Sequence, residues 1–223
     1  LRAPQRFRAP GVPIDRIFRV LLEVRRRLVR QAVWHTGIMR PMTAENVLEF
    51  WIRRDRKQWF EKNPVLDEEI RARFLPLYEF AFKNGLESWQ RAPGSCLALV
   101  ILIDQFPRNM FRGHARAFAA DPLARDAARA ILDNGWDKAM TPDERMFAYL
   151  PFEHSESLAD QERCLALMKE IAVFPQTADL PKWAEAHLAI IRRFGRFPHR
   201  NAALGRESTP EEVEFLKQPG SSF

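Results

Sequence analysis

Cysteine is nearly absent: the 223 residues hold two, Cys96 and Cys164, neither in a Cys-x-x-Cys pair nor near a histidine at metal-ligand spacing. That pattern speaks against a disulfide framework and a structural zinc site and fits a reducing cytoplasm. Glycine is sparse too, at nine, and none of the nine builds a P-loop, a dinucleotide fingerprint or a G-x-S-x-G elbow. H-E-x-x-H is also missing. No cofactor and no metal site is therefore expected. Long apolar runs are lacking as well. Leu97 to Ile103 is the longest, far short of the roughly 20 residues a membrane-spanning helix needs, and no cleavable signal peptide is visible. A second β-branched run to pair with it is missing, so this stretch reads as a buried helix rather than a strand.

Charge is plentiful but uneven. The net +6 arises in residues 1–40, with ten Arg against two acids, while residues 41–223 carry 25 basic and 27 acidic side chains. A nucleic-acid surface needs concentrated basic charge, so nucleic acid is not an expected partner. Asp15 to Trp34 has the pattern of a basic amphipathic helix, with Ile17, Phe18, Leu21 and Leu22 among arginines. Contact with a membrane surface is expected only if residues 1–40 are retained. Met42-Thr43-Ala44-Glu45 resembles a natural start with Thr43 as N-cap. Residues 1–41 are accordingly read as an extension outside the functional protein, and 42–223 as one all-helical domain.

Thr141-Pro142-Asp143-Glu144 and Thr209-Pro210-Glu211-Glu212 each combine an N-cap threonine, a proline at the first helical position and a glutamate at the third, so orphan backbone donors are satisfied reciprocally. Asp121-Pro122 is a similar start. Asn84-Gly85 and Asn134-Gly135 read as helix stops in which glycine takes the left-handed conformation. Helices are predicted near 43–52, 65–84, 95–105, 121–134, 142–150, 156–173, 179–194 and 209–217. Short connections predict antiparallel neighbours. Trp51, Trp59, Trp89, Trp136 and Trp183, with Phe74, Phe82, Phe147 and Phe215, are assigned to the core.

Three segments carry more polar chemistry than a helical bundle needs. In the first, directly after the buried helix, stand Asp104, Arg108, Asn109 and Arg112. The second holds Glu153, His154, Glu156, Asp160 and Gln161. The third holds Arg196, His199, Arg200, Asn201 and Arg206 among Gly195 and Gly205. Arginine forks bind carboxylates and phosphates bidentately, so convergence makes an anion site. The competing reading, favoured on the sequence alone, is an ion-pair network joining helices, with Asp104, Glu153, Glu156 and Asp160 as partners. His154 and His199 are the candidate acids or bases, with Glu156 as partner. His154 and Glu156 can converge only if the chain between Pro151 and Ser157 leaves the helix. His187, inside an amphipathic helix, reads as packing.

These segments also carry a family resemblance. LALVILIDQFPRNMFRG with AFAADPLA, PFEHSESLADQE, and FGRFPHRNAALGRESTPEEVEFL resemble a bacterial family known only as domain of unknown function 924, over roughly residues 42–223. The resemblance implies antiparallel helix pairs in a tetratricopeptide-like superhelical array and brings no settled activity. Two functions follow as expectations. The first is a binding scaffold for a peptide or protein partner. The alternative is a small-molecule enzyme, possibly hydrolytic, with Arg108, Arg196 and Arg200 holding an anionic substrate while His154 or His199 moves a proton.

Overall fold

Helix starts fall where the capping sequences put them. The computed structural model describes residues 42–222; the amphipathic reading of 15–34 and the extension reading of 1–41 lie outside them. The α-helices are α1 (Ala44–Ile52), α2 (Arg56–Phe60), α3 (Pro64–Phe82), α4 (Pro93–Val100), α5 (Phe106–Met110), α6 (Asp121–Asp133), α7 (Pro142–Glu153), α8 (Leu158–Ile171), α9 (Leu180–Phe194) and α10 (Pro210–Leu216). No strand occurs among the described residues. Thr43, Thr141 and Thr209 each close a capping box, with Asn46, Glu144 and Glu212 respectively. At α7, the Thr141 amide donates to the Glu144 carboxylate at 2.8 Å and the Glu144 amide donates to the Thr141 hydroxyl at 3.3 Å. Thr141→Ala removes one side of that exchange and is expected to destabilise the fold by about 1 kcal/mol. A thermal melt should record this as a fall of roughly 2–4 °C.

The core forms around α4. From Cys96 to Val100 every side chain is buried, and the helix packs against α1, α6 and α7. Beside it the aromatic residues lock together: Phe74 and Phe106 ring centroids lie 4.7 Å apart, Trp51 and Phe106 5.4 Å, Trp59 and Phe147 4.9 Å. Edge-on and tilted pairs of this kind add to the large area each ring removes from water. The assignment of aromatics to the core holds for Trp51, Trp59, Phe74 and Phe147 and fails for Trp183 and Phe82, both exposed. A small second cluster of Ile190, Ile191 and Phe197, with Phe194 and Phe215 against it, ties the chain after α9 to α10.

Three features depart from the sequence reading. First, the buried helix does not end near 105. One turn of π-helix, Ile101–Gln105, joins α4 to α5, so the segment read as following the helix is itself helical. A π turn inserts an extra residue, and such turns concentrate at functional sites; this one carries Asp104, completely buried. Second, α7 runs through Pro151 to Glu153, because the proline falls in the last turn, where little helix is left to disrupt. Third, the left-handed residue after α3 is Asn84, at φ 60°. Asparagine tolerates that conformation through local hydrogen bonding. Gly85 serves instead for closeness: a Cβ there would sit 2.6 Å from the Phe80 ring. No helix among the described residues is long and apolar enough to cross a membrane.

Candidate functional site

The π turn and the C-terminal end of α7 bring Asp104 and His154 together. The His154 Nδ1 lies 2.9 Å from Asp104 Oδ1. A carboxylate only accepts, so Nδ1 carries the hydrogen and the Nε2 lone pair is left basic. Asp104 also accepts from Gln105 Nε2 at 2.5 Å and pairs with Arg108 Nη1 at 3.4 Å. Burial pushes the Asp104 carboxyl up, but Arg108 and the His154 and Gln105 hydrogen bonds outweigh it and hold it down at about 2. Burial, helped by Arg108, pushes His154 below the usual imidazole range against the pull of Asp104. Carboxylate and neutral imidazole thus stand side by side at neutral pH.

A second carboxylate, Asp121 at the start of α6, joins the first and third segments. Arg108 donates to both of its oxygens at 3.1 and 3.3 Å, and Arg200 Nη1 donates to Oδ2 at 3.4 Å. The Arg200 guanidinium lies 4.6 Å from the Phe118 ring centroid and 4.5 Å from that of Phe197. Burial, then the like charge of Arg108, pull Arg200 down to about 10. The neighbouring His199 is lowered to about 4 by burial and by Arg200.

Glu153 and His187 are buried beside this group. The Cys164 thiol approaches Glu153 Oε2 at 3.8 Å, and His187 Nδ1, which donates to the Trp183 carbonyl at 2.9 Å, is 3.6 Å from Glu153 Oε1. Burial pushes the Glu153 carboxyl up to about 8, with Asp104 adding to the shift. Burial likewise drives His187 down to about 3. The His187 ring meets Phe197 edge-on at 5.7 Å, and Phe197 lies 5.5 Å from the His199 ring. The three polar segments therefore meet.

Other residues named from the sequence hold the site rather than face it. His154 caps α7, and the chain has left the helix by Glu156. Glu156 spends both oxygens on a fork from Arg206, at 2.8 and 3.0 Å, and on the Phe197 amide at 2.8 Å. Gln161 donates to the carbonyls of Glu153 and Ser155, fixing the end of α7. Arg196 forks onto Glu212 at 2.7 and 2.8 Å, and Asn201 bonds Glu212 and Ser208. Arg112 and Asn109 turn to Asp67 on α3. Asp160, expected among the partners of the site arginines, pairs with Arg125 and Arg129 instead. Among the described residues no group of three or more His, Cys, Asp or Glu could hold a metal ion.

Sequence reading passed over Asp121, taken only as a helix start, and His187, taken as packing. It also left Glu153 out as an acid–base candidate. The available signal was local: an Asp-Pro start whose carboxylate follows a stretch rich in arginine, and a Glu-His pair at the end of an apolar helix.

Among the described residues the fold is all-helical, with a buried Arg, His and carboxylate cluster where three segments meet. The sequence pattern of the bacterial proteins of unknown function termed DUF924 matches residues 47–220. The chain belongs to this family. It is similar to the solved structure of the protein of unknown function ATU0120 from Agrobacterium tumefaciens: 41% identity, 78% of this chain and 96% of that one covered, TM-score 0.72. No curated protein matches.

Proposed function

We propose that the cluster is an acid–base site for a small anionic substrate, hydrolytic in character, with the proton moving at His154 Nε2. The observation that carries this reading is the 2.9 Å contact of His154 Nδ1 with the buried Asp104 carboxylate, which leaves Nε2 basic; beside it Arg108 and the hydrogen bonds lower Asp104 while burial raises Glu153. Environments that push paired titratable groups apart mark acid and base assignments. In this reading Asp104 orients the imidazole, Arg108 and Arg200 receive the anion, and Glu156 with Arg206 positions the loop that carries Arg200. Arg196, expected to bind substrate, serves with Glu212 to hold that loop.

The helical order also fits a tetratricopeptide-like superhelical array, since α7, α8 and α9 pack consecutively, each on the next. The free, buried Cys96 and Cys164 fit a cytoplasmic setting. A scaffold for a peptide or protein partner is the second reading. What favours it is the mutual pairing of the charges, since Asp104, Asp121 and Glu156 face Arg108, Arg200 and Arg206.

A panel of chromogenic phosphate and carboxylate esters and short N-acyl acids tests the acid–base reading. Turnover is expected from the native chain and a fall of about 10²–10⁴-fold in His154→Gln, which keeps a donor for Asp104 but moves no proton. No turnover, together with no thermal shift by any anion, leaves the cluster structural and overturns the reading.

A further inference from the structure

The chain after α9 is held down by charge more than by apolar packing. Between Gly195 and Leu216 the buried residues are Phe197, Pro198, Arg200, Asn201 and Glu212, so two of them are apolar. Phe197 belongs to the small second cluster with Ile190 and Ile191 of α9, apart from the main core. Within the segment, Arg196 and Asn201 both bond Glu212, and Asn201 also reaches Ser208, which ties the stretch 196–206 to α10. It is therefore one unit. Phe215 against Phe194 and Glu211 against Arg193 rest α10 on the last turn of α9, and Gly195, left-handed at φ 67°, turns the chain there.

Two carboxylates fasten the far side of the unit. Glu156, in the turn between α7 and α8, accepts from the Arg206 fork at 2.8 and 3.0 Å and from the Phe197 amide at 2.8 Å, while Asp121 accepts from Arg200 at 3.4 Å. The Arg206 and Glu156 side chains are 24% and 30% exposed, so salt reaches this pair. Regions with few buried apolar contacts open locally at the lowest free energy, and this unit has few. Lifting it takes the Phe197 ring off the His187 ring and Arg200 off Asp121. His187 and Asp121, both buried in the closed chain, then meet solvent.

We propose that residues 195–216 form a strap, latched at Glu156, that opens as a unit while the helices beneath it stay folded. Its use as a gate to the cluster rests on the acid–base reading above; the opening does not. Native-state hydrogen exchange followed by NMR at neutral pH tests it without any ligand. The amides of Phe197, Arg200 and Asn201 donate to Glu156 and to the carbonyls of Phe197 and Pro198. The turn Pro198–Arg200 is too short to hold itself once lifted, so these amides exchange together when the strap opens. They are expected to exchange roughly a hundredfold faster than the buried amides of α4. Glu156→Gln, which loses the charge of the latch, is expected to speed all of them by about tenfold and leave α4 unchanged. Raising salt from about 0.05 to about 0.5 M is expected to speed them in the native chain as well, which reads the latch even if the variant folds poorly. Strap amides as protected as those of α4 overturn the proposal. Acceleration confined to Phe197 in Glu156→Gln marks the fraying of one side chain, and strap rates indifferent to salt show that charge does not close it; either result overturns the latch. Failure of turnover leaves the strap standing, and a strap that stays shut leaves the acid–base reading standing.

Discussion

Replacing Asp104 by alanine is expected to destabilise the protein by about 3–5 kcal/mol, the range for removing one partner of a buried ion pair. Its carboxylate, without solvent exposure, receives hydrogen bonds from His154 and Gln105 and pairs with Arg108. Alanine leaves all of these groups in a low-dielectric setting with nothing in exchange. For a chain of this size the loss reads as a fall of roughly 6–20 °C in Tm by calorimetry. Asp104→Asn retains an acceptor of the same shape and is expected to recover about half of the loss, because only the charge is removed. Under the acid–base reading Asp104→Ala also loses the orientation of the His154 ring. A melt of Asp104→Ala within about 1 °C of the native chain contradicts the pairing on which the site is built.

How far the site was visible in the chain follows from the range of each interaction. Capping boxes at Thr141 and Thr209 involve residues three apart, so residue identity alone determines them. The buried helix through Leu97 was legible because apolar composition overrides its weak periodicity. Asp104 was legible as unusual but not as central, since an extra residue in one helical turn decides which way it faces and no residue type specifies a π turn. Asp121 illustrates the same limit. Its position before Pro122 marks a helix start, but the contact that matters reaches 79 residues along the chain to Arg200. The division of the arginines was also hidden: Arg112 and Arg196 look like Arg108 and Arg200 in sequence, yet Asp67 and Glu212 occupy them. Which carboxylate claims which arginine is settled only when the helices pack.

Stability against pH gives the second large effect, and its sign depends on Glu153. The folded chain keeps a proton on Glu153 up to about pH 8, whereas the unfolded chain releases it near 4.5. Between those values rising pH therefore destabilises the fold, by at most about 1.4 kcal/mol per pH unit. His187 and His199 act in the opposite sense. Folded, they stay neutral down to about 3 and about 4; unfolded, they take a proton below about 6.5, so their contribution grows as pH rises to that point. Asp104, held at about 2 against 3.8 when unfolded, adds stability that is present above 3.8 and lost as pH falls toward 2.

His154, lowered by burial and Arg108, acts in the same sense as His187 and His199, while Cys164 and Arg200 stay quiet in this window. The Cys164 thiol is raised well above its usual range, and Arg200 releases its proton only near 10. Three histidines outweigh one glutamate below pH 6.5, and the glutamate acts alone above it. Maximum stability is therefore expected near pH 6.5, with a decline of about 2 kcal/mol by pH 8. Denaturant titrations of Glu153→Gln at half-unit steps are expected to show the alkaline decline flattened and the acid limb retained, because glutamine fills the same space without a proton to lose. An alkaline decline unchanged in Glu153→Gln means that Glu153 is not protonated in the native protein, and the contrast between a lowered Asp104 and a raised Glu153 then fails with it.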